Sequence, residues 1–106
     1  MNLPTQRWLR IVEYRDFFDI PRYFLASDGA HFWILDGPFD DENDDYTDRF
    51  VVHFVGTNES EARHLFVQQA TIPARTEPTP ITIPIADLRF DETRRAQCMV
   101  RAAPGQ

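Results

Sequence analysis

The sequence predicts a mainly β fold: a small open barrel or sandwich of about five or six mostly antiparallel strands. Apolar residues make up 42% of the 106 residues and aromatic residues 13%, a composition that supports a core and lies well above that of disordered chains. Runs of aromatic and β-branched residues recur at short spacing, and turn residues separate them. A chain of this length is expected to form one domain, residues 1–106.

The clearest element is a β-hairpin in the segment RYFLASDGAHFWIL (22 to 35). Asp28 and Gly29 are favoured at the two central positions of a type I′ turn, where both residues need φ > 0. This turn predicts that Leu25 faces Phe32 across the hairpin.

The two faces of this hairpin are both apolar. With a two-residue loop, Ser27 faces Ala30 and Tyr23 faces Ile34, while the other side carries Phe24, Ala26, His31 and Trp33. We therefore expect both faces to be covered by other parts of the chain.

Further strands are predicted on both sides of the hairpin. The runs WLRIVEY (8 to 14) and DRFVVHFV (48 to 55) have strand-like composition. RDFFDIPR (15 to 22) is predicted to be an extended connection between the first run and the hairpin. The end of the chain, ADLRFDETRRAQCMV (86 to 100), alternates apolar residues around a polar turn, which predicts a second hairpin with Cys98 in the core.

One short helix is predicted near residues 58–68, although part of this segment would also suit a strand. Asn58 is a good N-cap with Glu61 at the third helical position, and the apolar residues at i, i+3 and i+4 are Ala62, Leu65 and Phe66. The segment ATIPARTEPTPITIPI (70 to 85) contains four prolines, which exclude a regular helix and allow at most edge pairing.

The segment DGPFDDENDDYTDR (36 to 49) is strongly acidic, with seven carboxylates in fourteen positions. The other ten acidic residues are nearly balanced by eleven arginines, so the net charge of −6 comes from this segment. The neighbouring strand predictions place it in a connection between two strands.

Our main functional hypothesis is a non-enzymatic protein-interaction module that presents the acidic loop 36–48 to a basic partner. Concentrated charge accelerates association with a cationic protein, and aromatic residues supply binding energy. The candidate binding residues are Phe39, Asp40, Asp41, Glu42, Asp44, Asp45 and Tyr46. The simplest alternative is a solvated connection, with Phe39 and Tyr46 packed into the core.

A second hypothesis is a divalent-cation-binding domain that uses the same loop. Carboxylate-rich loops supply the oxygen ligands that Ca²⁺ prefers, and the candidates are Asp40, Asp41, Asp44 and Asp45. The central glycine of an EF-hand loop is missing, so the metal ligands stay unknown.

A third hypothesis is a small enzyme that uses His31 or His53 with a carboxylate as a general base. The chain contains no nucleophile elbow, P-loop, dinucleotide fingerprint or HExxH motif. We therefore expect a protein that is not an enzyme, and we assign no catalytic residue and no cofactor.

Composition also bears on partners and location. The pI near 4.9 disfavours nucleic-acid binding. The single cysteine excludes an internal disulfide. The first fifteen residues lack the uninterrupted apolar run of a standard export signal, and no run of eighteen apolar residues occurs in the sequence. These features predict a cytoplasmic, bacterial-type small domain without membrane contact, and exposed strand edges would allow a homodimer.

The segment YRDFFDIPR (14 to 22) resembles the aromatic and acidic loops of small SH3-like barrels. The resemblance implies a small barrel, and it implies no function, because one fold serves many functions.

Overall fold

The structure is a computed structural model that describes residues 3–37, 39–68 and 81–101. The strands in these ranges are β1 (Trp8–Phe18), β2 (Ile20–Ser27), β3 (Phe32–Asp36), β4 (Phe39–Asp40), β5 (Asp45–Tyr46), β6 (Arg49–Phe54), β7 (Ile81–Pro84), β8 (Leu88–Phe90) and β9 (Gln97–Val100). The helices there are α1 (Glu59–Val67) and the 3₁₀ helix Ile85–Asp87.

Seven of the described strands form one antiparallel sheet, in the order β7-β6-β3-β2-β1-β9-β8. The 3₁₀ helix is only three residues long and joins the two edge strands, β7 and β8. The two edges therefore meet at this end, and the sheet curves into a nearly closed barrel. The predicted fold class is confirmed, with seven strands in the main sheet rather than five or six.

The segment 15–22 is the end of a hairpin, and not the extended connection that its sequence suggests. β1 and β2 pair as far as Phe18 and Ile20. Asp19 makes the turn with a φ of 71°, a conformation that Asp tolerates better than most residues. Arg94 holds this tip, since its Nη1 donates to the carbonyl oxygen of Asp19 at 3.0 Å and to Oδ1 at 2.8 Å.

The β2–β3 hairpin is present, but its predicted two-residue loop is wrong. Ser27 faces Phe32, so the loop contains four residues, 28–31. Oδ1 of Asp28 accepts hydrogen bonds from the backbone nitrogens of Ala30 and His31 at 2.9 and 2.8 Å, which stabilises the wider loop. The register moves by two residues, so each side chain stays on its predicted face.

Both faces of this hairpin are covered, as predicted. One face contributes to the barrel interior, whose buried residues include Leu9, Phe24, Ala26, Trp33, Leu35, Phe50, Val52, Cys98 and Val100. The other face packs against α1 in a second cluster of Tyr23, Leu25, Phe32, Ile34, Ala62 and Phe66.

Helix α1 begins where the sequence predicts. Oδ1 of Asn58 accepts a hydrogen bond from the nitrogen of Glu61 at 2.9 Å, an interaction typical of an N-cap. Ala62 and Phe66 are buried beneath the helix. The ring of Phe66 stacks on Tyr23 at 4.7 Å, and the Tyr23 hydroxyl donates to the Phe66 carbonyl at 3.1 Å.

The C-terminal hairpin is also confirmed. Leu88 pairs with Val100 and Phe90 with Cys98, and the Cys98 side chain is fully buried. Of the proline-rich segment, residues 70–80 lie outside the described residues, and residues 81–84 form the edge strand β7. No helix in the described ranges is long and apolar enough to cross a membrane.

Gly37 gives a direct test of the packing at the end of β3. A Cβ atom at this position would lie 2.8 Å from Cε1 of Phe50, which is a fully buried ring. We expect Gly37→Ala to lower the free energy of unfolding by about 1–3 kcal/mol, the usual cost of overpacking a core. Urea denaturation measures this change.

The matched control is a double-mutant cycle with Phe50→Leu. Because the smaller side chain makes room for the new methyl group, Gly37→Ala should cost less in the Phe50→Leu background than in the parent protein. Additive costs would show that the ring contact is not the cause.

Candidate functional site

The acidic segment folds into a short hairpin rather than a loose connection. β4 and β5 pair Phe39 with Tyr46 and Asp40 with Asp45, and residues 41–44 make the turn. Asp44 has a φ of 55°. We call residues 39–46 the acidic hairpin. It lies in the connection between β3 and β6, which are neighbours in the sheet, as the sequence predicts.

Four carboxylates at the end of the acidic hairpin face solvent. Asp41, Glu42, Asp44 and Asp45 are all exposed. Oδ1 of Asp45 accepts a hydrogen bond from the nitrogen of Tyr46 at 2.7 Å, and among the described residues no arginine makes an ion pair with Asp41 or Asp44. The turn therefore presents a compact negative surface.

An aromatic contact attaches the acidic hairpin to the barrel. The rings of Phe39 and Tyr46 meet edge to face at 5.3 Å. Phe18, at the tip of the β1–β2 hairpin, lies 5.6 Å from Tyr46. Phe39 is 48% exposed and Phe18 is 62% exposed, so neither ring is part of the core. Packing of Phe39 into the core, one of the interpretations of the sequence, does not occur.

A cleft of about 350 Å³ separates the acidic hairpin from the barrel wall. The lining residues come from the five strands β1 to β5 and from the connection after β3, and they are Asp16, Arg22, Tyr23, Asp36, Gly37, Phe39 and Tyr46. The guanidinium carbon of Arg22 lies 4.7 Å above the Tyr46 ring, and its Nε donates to the carbonyl of Phe18 at 3.2 Å. The described lining thus combines two acidic residues, one arginine and three aromatic residues.

Two groups in this cleft have shifted pKa values. Burial, reinforced by the negative charge of Asp16, raises the pKa of Asp36 above its ordinary value. Burial and the nearby Asp36 raise the pKa of the Tyr23 phenol to about 12, although Arg15 opposes this shift. Tyr23 therefore stays neutral at physiological pH.

The histidines lie elsewhere. Nδ1 of His31 lies 3.2 Å from Oδ2 of Asp28 in the β2–β3 loop, and its ring is near Trp33 and Phe54. Burial opposes ionisation of Asp28, but hydrogen bonds from the nitrogens of Ala30 and His31 and from the His31 ring hold its pKa below the ordinary value. The contact between His31 and Asp28 therefore has a structural role, because it stabilises the β2–β3 loop.

The remaining candidates are His53 and the carboxylates of the cation-site hypothesis. His53 is half-buried on β6, opposite Ile34 of β3. Among the described residues, no group of three His, Cys, Asp or Glu side chains is arranged to hold a metal ion. For the hypothesis of a cation site in the turn, the backbone places Asp40 next to Asp45 in the hairpin ladder.

Comparison with known proteins gives no match to a family model, to a curated protein or to a solved structure. The site therefore has to be interpreted from its own chemistry.

The sequence pointed to the acidic hairpin but not to the cleft. Asp16 and Arg22 precede the acidic segment by fourteen or more residues, and they reach it because the β1–β2 hairpin folds back beside β3. The sequence signal for these two residues is the aromatic and acidic segment 14–22, which contains both of them.

The pKa of Asp36 leads to a stability prediction. Since this pKa is raised in the folded protein, the unfolded chain loses its proton at lower pH, and folding becomes less favourable as pH rises through the interval between the two values. Asp36→Asn should therefore raise the thermal unfolding midpoint by a few degrees at pH 7. The gain should disappear at about pH 3, below the ordinary pKa of an aspartate.

Calorimetry at the two pH values measures this difference. Asp41→Asn removes an exposed carboxylate outside the cleft and serves as the control, with no comparable gain. A lower midpoint for Asp36→Asn at pH 7 would contradict the prediction.

Proposed function

We propose that the protein is a non-enzymatic interaction module that binds a basic protein partner through the acidic hairpin. The observation that carries this proposal is the exposed ring of Phe39 (48% exposed) beside the solvent-facing carboxylates of the turn. Exposed aromatic residues are typical anchors of protein interfaces. Carboxylates around such an anchor favour a partner with arginine or lysine at the same place.

The position of the hairpin supports this function. The two-residue strands β4 and β5 project from the connection between β3 and β6, and contacts of Tyr46 with Phe18 and Arg22 hold them against the barrel. A surface that is ordered before binding loses less conformational entropy when the partner arrives.

The charge distribution supports it as well. The four exposed carboxylates of the acidic hairpin lie within five consecutive residues, 41–45, so their fields add at short range. Such a surface attracts a cationic protein over distances of about 10 Å at 0.1 M salt and more weakly at higher salt. Binding should therefore depend on ionic strength. Nucleic acid, which is itself negative, is not the expected partner.

We extend the proposal to the location and the assembly of the protein. A cytoplasmic location agrees with the single buried thiol of Cys98. A homodimer through strand edges would use β7 or β8, the edge strands of the described sheet.

Removal of carboxylates from the turn tests the proposal. The test variant carries Asp41→Asn, Glu42→Gln and Asp44→Asn, and the probe is a fluorescent peptide of four Arg-Gly repeats. Because each exposed ion pair contributes about 0.2–1 kcal/mol, loss of three such pairs should lower the affinity roughly 3- to 150-fold. Fluorescence anisotropy over a series of NaCl concentrations measures the change.

The matched control removes three exposed or half-exposed carboxylates elsewhere, through Glu61→Gln, Asp87→Asn and Glu92→Gln. It changes the net charge by the same amount, so its affinity should stay close to that of the parent protein. Equal losses in the two variants would show that only net charge matters and would reject the acidic hairpin as the binding surface. A Gln-Gly repeat peptide gives the uncharged reference.

A further inference from the structure

The cleft beside the acidic hairpin has an excess of negative charge. It contains the carboxylates of Asp16 and Asp36 but only one guanidinium group, that of Arg22. Arg22 contacts the Phe18 carbonyl and the Tyr46 ring, and within the described residues no ion pair joins it to either carboxylate. With each group counted at its usual charge, the described lining has a formal charge of −1.

Asp36 is the carboxylate most in need of a partner. It is half-buried at the end of β3, and among the described residues its carboxylate accepts no hydrogen bond. A half-buried carboxylate without a hydrogen-bond donor loses hydration without compensation, which explains its raised pKa. A cationic group beside Asp36 would supply that compensation.

The shape and walls of the cleft indicate which cation fits. Its volume of about 350 Å³ is near the lower end for ligand sites, which suits one inserted side chain. Phe39 and Tyr46 give this lining an aromatic character. A guanidinium group stacks on aromatic rings and binds a carboxylate through two parallel hydrogen bonds, whereas an ammonium group cannot do both as well. The stacking of Arg22 on Tyr46 at 4.7 Å shows this preference within the molecule.

We infer that the cleft binds the side chain of an arginine from the protein partner, with its guanidinium group on the carboxylate of Asp36 and beside the rings of Phe39 and Tyr46. This inference rests on the proposed function and specifies its anchor. One bound guanidinium brings the charge of the lining to zero. The carboxylates of the acidic hairpin would attract the partner, and the cleft would fix the orientation of the partner.

Nuclear magnetic resonance titration with 1-butylguanidinium tests the inference on the isolated protein. We expect saturable shifts of the backbone amide signals of Gly37 and Tyr46, with a dissociation constant in the millimolar range. Butylurea has nearly the same planar shape but no charge, and butylammonium has the charge but no planar group. Both should therefore bind more weakly. Shifts absent from the cleft, or binding of butylammonium at least as strong, would overturn the inference.

Two variants with the same change of charge identify the carboxylate. Asp36→Asn should weaken binding of 1-butylguanidinium about tenfold or more, because it removes the charge-assisted hydrogen bonds. Asp41→Asn lies outside the cleft and should bind like the parent protein. Similar affinity of the parent and Asp36→Asn would reject the cleft, and the amide spectra of both variants verify that they are folded.

The Arg-Gly peptide separates this inference from the proposed function. Peptide binding that depends on the acidic turn, together with no response of the cleft to 1-butylguanidinium, would overturn the arginine anchor alone. If peptide binding does not depend on the carboxylates of residues 41–44 and the cleft does not respond to 1-butylguanidinium, the interaction module is overturned as well.

Discussion

The β2–β3 hairpin is the element on which the rest of the structure depends, because both of its faces are buried. Phe24 and Trp33 point into the barrel, while Tyr23 and Ile34 point toward α1. Burial of a large apolar side chain contributes about 1.5–3 kcal/mol, so a hairpin that is apolar on both sides is stable only when it is covered twice. One face packs in the barrel interior, and the other packs against α1. This requirement explains why a chain of mostly short strands contains a helix at all.

The same constraint positions the candidate site. Tyr23 is held by Phe66 on its helix side, and its cross-strand partner Asp36 ends β3 at the mouth of the cleft. Gly37 then passes close to the buried ring of Phe50, where a larger residue would not fit. After Gly37 the chain leaves the seven-stranded sheet, and the acidic hairpin forms a separate two-stranded sheet. Charge that would be costly in the core is thereby kept at the surface, next to a rigid support.

Local patterns predicted much of this fold from the sequence. The alternation in residues 22–35 identified both buried faces, and Asn58 with Glu61 marked the start of α1, because each signal depends on neighbouring residues. The loop register was less predictable, since the carboxylate of Asp28 competes with the two-residue turn for backbone donors. The cleft was not predictable, because Asp16 and Asp36 meet through strand pairing between distant segments. The proximity of two such distant residues follows only from the strand order, which the local sequence pattern does not contain.

Cys98 can serve as a built-in probe of local opening of the barrel. Its thiol is fully buried between β1 and β8, and burial, with the nearby charge of Asp91, raises its pKa to about 12. The reactive thiolate is therefore both rare and shielded while β9 stays paired. Because the chain has one cysteine, the rate at which a thiol reagent modifies the protein reports the opening of this side of the barrel, without any engineered label.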